Sequence, residues 1–274
     1  MRLPLILTVM LLAATQVAAA TLDRSHASGT IRIGYRTDAK PYSYSDELGQ
    51  PTGYIVDLCR EVAAAIQPRP RILFVPVSAG QRFEAVRDGR VDILCEATSV
   101  TMARREVVDF SLPTFFDGAG VISRTGAPVE SFEDMAGKRV GVLENTTSEE
   151  TLRRSLTALH IDATVVPVHD HRAGLDILSD DKIDAYFADH GIAAAMQQDG
   201  SRPGFQISKR YFSYETYALA LPKDDGAFRL FVDRTLARLY RTDKVKALLQ
   251  KTFGRGSIDG LLQALIVMNS LPDK

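Results

Sequence analysis

The sequence has 274 residues, of which 45% are hydrophobic, and its 33 Lys and Arg nearly balance its 34 Asp and Glu. That length is enough for one large or two modest domains, each with a hydrophobic core. The charge balance argues against nucleic acid or an anionic membrane as a partner, because both select proteins with excess positive charge.

Residues 1–20 have the pattern of a secretory signal peptide. Arg2 is followed by an apolar run as far as Leu12, and the segment closes on the small residues VAAA. The alternative, a transmembrane anchor, fits poorly because the apolar stretch is too short for the roughly 30 Å hydrocarbon core. No cysteine follows that could carry a lipid anchor. We therefore expect residues 21–274 to be exported as a soluble chain.

The two cysteines, Cys59 and Cys95, form an even pair. In an oxidising compartment such a pair favours a disulfide, and two buried free thiols are the alternative because both cysteines lie in apolar patterns. A metal site would need about four ligands at closer spacing. His169 and His171 stand only two positions apart, but no matching cluster accompanies them, so we expect no metal.

After the signal segment, strand and helix patterns alternate along the chain. The expected strands are 31–35, 71–77 and 91–95, and the expected helices are 53–66 and 82–89. This βαβαβ order predicts a parallel sheet covered by helices.

A second alternation begins further along. The expected strands are 139–143, 163–168 and 183–189, and the expected helices are 147–159 and 172–180. Thr147 and Glu150 fit a capping box at the start of the first of these helices. From Glu215 a further strand and three helices, near 226–240, 243–253 and 258–267, complete the pattern. Two α/β units of this kind predict a two-lobed protein.

Segments 87–99 and 179–191 resemble each other, since both run from a helix end through a charged turn into a strand and then into polar residues. An internal structural repeat would explain this echo. Convergent α/β patterning is the alternative.

Polar residues follow the buried strand at 91–95 without a break. Glu96, Thr98 and Ser99 come first, and a helix then opens near Thr101 with Arg104 in its first turn. Ligands of open parallel sheets bind at the carboxyl ends of the strands, and a helix N-terminus beside an arginine favours an anion. We expect a carboxylate there. Alternatively, the threonines only cap the helix and the arginine is solvated.

Three segments, 34–66, 88–113 and 137–152, resemble the periplasmic solute-binding proteins of polar amino acid transporters, known as solute-binding protein family 3. The stretch VTMARREVVDFS is specific to that family, and the chain is most similar to its glutamate/aspartate-binding members. The likeness covers essentially the whole exported chain.

This resemblance implies an α/β fold of the type II periplasmic binding proteins. Each lobe would be a helix-flanked, mostly parallel sheet, with the ligand enclosed between the lobes by a hinge motion. The expected first lobe is discontinuous, 21–115 plus 216–274, and the second is 116–215, with crossings near 113–118 and 213–217. The implied location is the periplasm and the implied partners are an amino acid and the membrane permease components of an ABC transporter. We expect a monomer without a cofactor.

The resemblance also assigns roles to the common part of an amino acid ligand. Arg104 matches the arginine that holds the α-carboxylate, with the Ser99 hydroxyl beside it. Asp189 matches the acid that takes the α-ammonium. Thr146 and Thr147 match the second-lobe loop and helix start that close on the carboxylate.

Three further residues match contacts to an acidic side chain: Arg36, Arg82 and His171. The chain departs from that pattern at Glu96 and Ala97, where the glutamate/aspartate-binding members have Gly-Ser. The expected ligand-binding residues are therefore Arg36, Arg82, Glu96, Thr98, Ser99, Arg104, Thr146, Thr147, His171 and Asp189.

Charge counting leaves two ligand classes open. Three arginines against Glu96 and Asp189 give +3 − 2 = +1, which suits glutamate or aspartate at −1. Alternatively Glu96 pairs with Arg36 or Arg82 and leaves room for a neutral polar ligand, because a buried unpaired charge costs several kcal/mol.

The sequence lacks GxSxG, P-loop, GxGxxG and HExxH patterns, so we expect a binding protein rather than an enzyme. Some dehydratases acting on cyclic precursors of phenylalanine use the same fold, which keeps that class open. Such an enzyme would need a proton-transfer acid, for which Glu96 is the candidate. A sensor input domain is a third possibility.

Overall fold

The computed structural model describes residues 20–198, 204–254 and 259–274. The predicted signal segment, 1–20, lies outside these residues apart from Ala20. Within the described ranges no helix is both long and apolar enough to cross a membrane.

The first part of the chain forms the elements α1 (Thr21–Ser28), β1 (Thr30–Tyr35), β2 (Asp38–Ala39), β3 (Ser43–Ser45), β4 (Pro51–Thr52), α2 (Tyr54–Ala65), β5 (Arg71–Pro76), α3 (Arg82–Arg87), β6 (Ile93–Leu94), α4 (Met102–Arg105) and β7 (Asp109–Asp117). The middle part forms β8 (Ala119–Arg124), a 3-10 turn (Glu133–Met135), β9 (Arg139–Leu143), α5 (Thr147–Ala158), β10 (Thr164–Val168), α6 (His171–Ser179), β11 (Ala185–Asp189), α7 (His190–Gln198) and β12 (Phe205–Ile207). The last part forms β13 (Glu215–Leu221), α8 (Gly226–Arg241), α9 (Lys244–Phe253) and α10 (Gly260–Asn269).

Two five-stranded sheets organise these elements, in the orders β5-β1-β6-β13-β7 and β10-β9-β11-β8-β12. In the first sheet β1 pairs in parallel with β5 and β6, and β13 runs antiparallel to both of its neighbours. In the second sheet β9 pairs in parallel with β10 and β11, and β8 is the reversed strand. Each sheet is mixed, with two parallel and two antiparallel pairings, rather than mostly parallel as expected. The two-lobed α/β prediction is confirmed. A small antiparallel sheet, β2-β3-β4, was not predicted.

The similar segments 87–99 and 179–191 occupy equivalent positions in the two sheets. The strands that these segments contain, β6 and β11, occupy the third place in their sheets, parallel to one neighbour and antiparallel to the other. Strand β6 is shorter than predicted, but its pairing extends on both sides, because the amide of Asp92 donates to Arg32 and that of Cys95 to Gly34. Glu96, two residues after β6, and Asp189, the last residue of β11, thus stand at equivalent ends of central strands.

A disulfide joins Cys59 in α2 to Cys95 at the end of β6, with 6.3 Å between the Cα atoms. Both cysteines are fully buried, in the core formed by the first sheet and the helices α2, α8 and α9. The predicted disulfide is confirmed. It ties the segment that carries Glu96 to a long buried helix.

Helix α5 starts one residue earlier than its predicted capping box. Thr146 is the N-cap, since its Oγ1 accepts a hydrogen bond from the amide of Glu149 at 3.2 Å. The prediction of Thr147 and Glu150 as the capping pair is wrong because Asn145, with φ of 61°, turns the chain immediately before Thr146. The side chain of Thr147 is consequently released from capping and can point elsewhere.

Candidate functional site

A cavity of about 30 Å³ lies between the two sheets, where the carboxyl ends of their central strands face each other. Its wall contains nine of the ten sequence-predicted binding residues: Arg36, Arg82, Glu96, Ser99, Arg104, Thr146, Thr147, His171 and Asp189. It also includes residues that were not predicted: Ala39, Ala97, Leu143, Ser148, Phe187, Ala188 and Ile192. Thr98 lies behind the wall, where its fully buried hydroxyl donates to Glu96 Oε1 at 2.8 Å.

The two sides of the cavity contact each other directly. Arg82 Nη2 donates to the carbonyl of Asn145 at 3.1 Å, and the amide of His171 donates to Asp38 Oδ2 at 3.0 Å. Each contact joins a residue associated with the first sheet to one associated with the second. The two sides of the cavity are therefore in contact in this structure.

Glu96 is surrounded by positive charge. Its Oε1 lies 3.0 Å from Arg82 Nε and its Oε2 lies 3.9 Å from Arg36 Nη1. Arg36 makes a second ion pair, at 2.6 Å, with Asp38. Of the two alternatives that the sequence left open, the structure therefore has Glu96 paired with Arg36 and Arg82. Burial lowers the pKa of Arg82 to about 10 despite the attraction of Glu96, so this arginine stays charged at neutral pH.

His171 is a buried, neutral wall residue. Burial lowers the pKa of its imidazole to about 4, with the Asp38 carboxylate acting in the opposite direction. Its Nδ1 lies 3.0 Å from the Tyr186 hydroxyl. The second histidine of the HDH segment, His169, is exposed and lies 2.7 Å from Glu144, so the two rings do not converge on one point.

Asp189 has two hydroxyl partners. Ser148 Oγ donates to Oδ1 at 2.7 Å and the Tyr217 hydroxyl donates to Oδ2 at 2.6 Å. Asp189 as a whole is partly buried and lies in the cavity wall. Burial, followed by the negative charges of Glu215 and Asp117, raises the pKa of Asp189 to about 7.

The hydroxyls expected to meet the ligand carboxylate already have acceptors. Ser99 Oγ and Thr147 Oγ1 both donate to Glu215 Oε2, the latter at 2.6 Å. Thr146 Oγ1 donates to the carbonyl of Leu143 at 2.6 Å. Because a hydroxyl carries a single proton, these three side chains have none left for a ligand oxygen.

Arg104 lies in α4, whose N-cap is Thr101 as the sequence indicated. Its Nη1 donates to the carbonyl of Ser99 at 2.8 Å, and its guanidinium stacks on the ring of Phe83 at 5.2 Å. Burial lowers its pKa, opposed by nearby carboxylates. A guanidinium has five N–H donors, so Arg104 keeps several for a ligand anion.

Sequence reasoning missed Asp38, Ser148 and Glu215. Asp38 and Glu215 do not follow the ends of the central parallel strands. The sequence pattern points to ligand groups only at those ends. The signal for Glu215 was its position at the start of a strand inside the second predicted crossing. Ser148 lies in the first turn of α5, where its Oγ donates to Asp189, and no local pattern distinguishes it from its neighbours.

A two-lobed α/β fold with a polar cavity at the facing strand ends defines the class of the bilobal ligand-binding proteins. Residues 31–255 match the bacterial extracellular solute-binding proteins, family 3. The chain belongs to this family.

A curated relative is the L-glutamate/L-aspartate-binding protein of Pseudomonas aeruginosa, 28% identical over 240 residues that cover 85% of this chain and 80% of the relative. A solute receptor for L-cysteine from Neisseria gonorrhoeae has a similar structure, with a TM-score of 0.80, 24% identity and coverage of 89% and 98%. An ancestral amino acid-binding protein, described as a precursor of cyclohexadienyl dehydratase, has a TM-score of 0.78, 25% identity and coverage of 85% and 100%.

Proposed function

We propose that the protein captures an amino acid outside the cytoplasm by closing its two lobes, and passes it to the membrane permease components of an ABC importer. The observation that carries this proposal is the presence of Arg104, the α5 N-terminus and Asp189 around one cavity. An α-amino acid presents one negative and one positive group, which match these two kinds of charge.

The ligand α-carboxylate binds Arg104 and the first amides of α5. Those amides have no intrahelical acceptor, and a helix N-terminus favours an anion. The α-ammonium binds Asp189. This arrangement keeps the roles proposed for both charged residues, and replaces the threonine hydroxyls by backbone N–H groups as donors to the carboxylate.

The proposed ligand side chain is acidic, and it contacts Arg36, Arg82 and His171. The relative that binds glutamate and aspartate supports this proposal. A neutral polar amino acid is the second candidate, because Glu96 and Asp38 are already paired with the two arginines.

A thermal-shift screen of the twenty amino acids, followed by calorimetry with glutamate, aspartate, glutamine and asparagine, tests both candidates. We expect at least one of these four to raise the melting temperature and to bind with one-to-one stoichiometry. A preference for the amides selects the second candidate. If no amino acid binds, the proposed function is wrong.

We expect the protein to have no enzymatic activity. One structural neighbour is described as a precursor of a dehydratase, so dehydratase activity should be assayed directly. Incubation of the protein with prephenate or arogenate should give no product. Product formation would instead assign a dehydratase.

Export and organisation are part of the same proposal. Residues 1–20 act as the signal peptide and the protein works as a periplasmic monomer. Its lobes comprise 21–115 with 216–274, and 116–215. Mass spectrometry of the protein isolated from the periplasm should find an N-terminus at Thr21.

A further inference from the structure

A buried hydroxyl joins two carboxyl groups beside the cavity. The hydroxyl oxygen of Tyr217, a fully buried residue of β13, lies 2.6 Å from Asp189 Oδ2 and 3.3 Å from Asp117 Oδ2. Asp117 ends β7 in the first sheet, whereas Asp189 ends β11 in the second. Asp189 belongs to the cavity wall, and neither of the other two does. The hydroxyl therefore links the wall to the first crossing from within the protein.

Packing fixes the place of this hydroxyl. Strand β13 runs antiparallel to β7, with Glu215 opposite Asp117 and Tyr217 opposite Phe115, so Tyr217 and Asp117 are diagonal neighbours. The Tyr217 ring lies 6.3 Å from the ring of Phe115 and 5.5 Å from that of Tyr42, centroid to centroid. These contacts leave the ring little freedom to turn its hydroxyl away from the two carboxyl groups.

The Tyr217 hydroxyl has one proton for two acceptors. The shorter distance assigns this proton to Asp189. Asp117 Oδ2 has other donors, because it accepts from the Tyr42 hydroxyl at 2.7 Å and from the amide of Gly191 at 3.1 Å. A hydrogen bond donated to a carboxylate favours its ionised form. Tyr217 therefore favours the charge on Asp189 that a ligand ammonium needs.

Asp117 acts on Asp189 in the opposite direction. Their Oδ2 atoms lie within about 6 Å of each other, because the same hydroxyl contacts both. Like charges at such a distance in a buried site disfavour each other. Burial, and then the negative charges of Glu215 and Asp117, raise the pKa of Asp189, and the hydrogen bonds from Tyr217 and Ser148 lower it.

Other charges also act on this pair. Among the described residues, the further ionisable side chains that interact electrostatically with Asp189 or Asp117 are Arg82, Arg104, His190, Tyr42, Tyr186 and Tyr211. The arginines stay charged and the tyrosines stay neutral near pH 7, because burial raises the pKa of each tyrosine. Histidine is the side chain of this group that ordinarily titrates near neutrality, and His190 acts on Asp117.

We propose that Tyr217 and Asp117 are positioning residues for recognition of the ligand amine: Tyr217 favours the ionised carboxylate of Asp189, Asp117 opposes it, and the two together set the pH range in which the amine is captured. This inference rests on the proposed function. It adds to the recognition of the amine two residues that lie outside the cavity wall.

Calorimetry with L-glutamate and with L-glutamine at pH 6 and pH 8 tests the inference, because the charge of either ligand changes little between these values. With a pKa of about 7 for Asp189, the wild-type affinity should be about tenfold higher at pH 8 than at pH 6. Asp117→Asn keeps the shape and removes the charge. The ratio should then fall towards about twofold, the result of moving the midpoint down by about one pH unit.

Tyr217→Phe should have the opposite effect. It keeps the ring and removes the hydrogen bond to Asp189, so the midpoint moves to higher pH. For a move of about one pH unit, the size expected of one charge-assisted hydrogen bond, the ratio should rise towards about fiftyfold.

Two matched variants remove the same groups elsewhere. Tyr54→Phe removes the hydroxyl of another fully buried tyrosine, which donates to the carbonyl of Thr114. Asp233→Asn removes a partly buried carboxylate that accepts from the amide of Leu112. Both should keep the wild-type ratio. All four variants are repeated with His190→Gln, which removes the histidine titration and should preserve the differences between them.

The direction of each shift decides the outcome. Opposite shifts in Asp117→Asn and Tyr217→Phe support the inference, since a merely structural role would weaken binding at both pH values alike. If either variant folds and keeps the wild-type ratio, or shifts it the other way, the inference is overturned and the proposed function stands. If the wild-type affinity is the same at pH 6 and pH 8, Asp189 does not hold the ammonium and the inference is overturned as well. If the wild type binds neither ligand, the ligand assignment fails first, and the inference fails with it.

Discussion

Two buried arginines share the carboxylate of Glu96, and in the proposed function this sharing determines the charge that a ligand side chain meets. We expect Glu96→Gln to shift preference towards acidic ligands, because Arg36 and Arg82 then lose a competing partner. The ratio of glutamate to glutamine affinity, measured by calorimetry, should rise about tenfold, the effect of one additional charge-assisted contact.

The same substitution should lower the melting temperature of the ligand-free protein, because it leaves Arg82 without its buried counter-charge. Glutamate should restore more stability to the variant than to the wild type. An unchanged affinity ratio would show that the ligand side chain does not reach these arginines.

Asp189 should make binding depend on pH near neutrality. Its pKa is raised to about 7, chiefly by burial and then by Glu215 and Asp117, so much of it is protonated just below pH 7 in the empty protein. Since an ammonium group favours the ionised form, affinity should rise with pH up to about pH 7, by at most tenfold per unit, and then level off. The histidine in the wall, His171, titrates at about 4 and does not contribute in this window.

Calorimetry at pH 6 in two buffers with different ionisation enthalpies measures the protons released on binding. A release approaching one proton is expected for Asp189. In the absence of ligand the sign for stability is opposite: a raised carboxyl pKa means that the folded state binds more protons, so stability falls as pH rises from about 4 to 7. Affinity that is flat from pH 5 to 8 would contradict the assignment of the ammonium to Asp189.

At the scale of elements, the strands and helices with clear periodicity were predictable. The period of apolar residues along the sequence shows which face of a helix or strand is buried, and it is the main local signal of secondary structure. The two-residue strands β2 and β4 have too few residues for a period, and they depend on neighbouring chain for their pairing.

The site residues that follow strand ends could be predicted from the sequence. Those in the segments that cross between the lobes could not. Glu96 and Arg104 could be found because open parallel sheets bind ligands at those ends, whereas Asp189 was assigned only from the resemblance to the family. The contact of Glu215 with Ser99 and Thr147 joins residues far apart in the sequence, and no local pattern specifies it. The pairing of Glu96 with two arginines was one of two alternatives that only side-chain positions could separate.

The two crossing segments pack closely at Gly118. A Cβ atom built on this residue would lie 1.9 Å from the carbonyl oxygen of Ser213, which belongs to the other crossing. Gly118→Ala should therefore push the segments apart and lower the free energy of unfolding by about 1–3 kcal/mol, the usual cost of overpacking. Urea unfolding measures this change.

Gly126→Ala is the matched control, since nothing lies within 4 Å of its Cβ position. It should change stability little, or raise it by less than about 1 kcal/mol. Equal effects of the two substitutions would show that close packing of the crossings is not the cause.

At the scale of the whole molecule, closure depends on a few polar contacts across the cavity. Among the described residues, Arg82 with Asn145, Asp38 with His171, Glu215 with Thr147, and Tyr217 with Asp189 connect the two sides. Hydrogen bonds of this kind contribute on the order of 1 kcal/mol each, because water offers replacement partners when the cleft opens. Such contacts are too few to hold the empty cleft shut against the freedom gained on opening.

In the proposed function a ligand changes this balance because it binds both lobes at once. Its ionic contacts strengthen when closure excludes water, so the closed form gains free energy only when the ligand is present. We expect small-angle scattering to give a larger radius of gyration for the empty protein than for the saturated one, and the saturated profile to match that calculated for the closed structure. Arg104→Ala, which removes the anchor of the carboxylate, should require a much higher ligand concentration for the same compaction. A radius that stays constant on saturation of the wild type would contradict capture by closure, even if calorimetry showed tight binding.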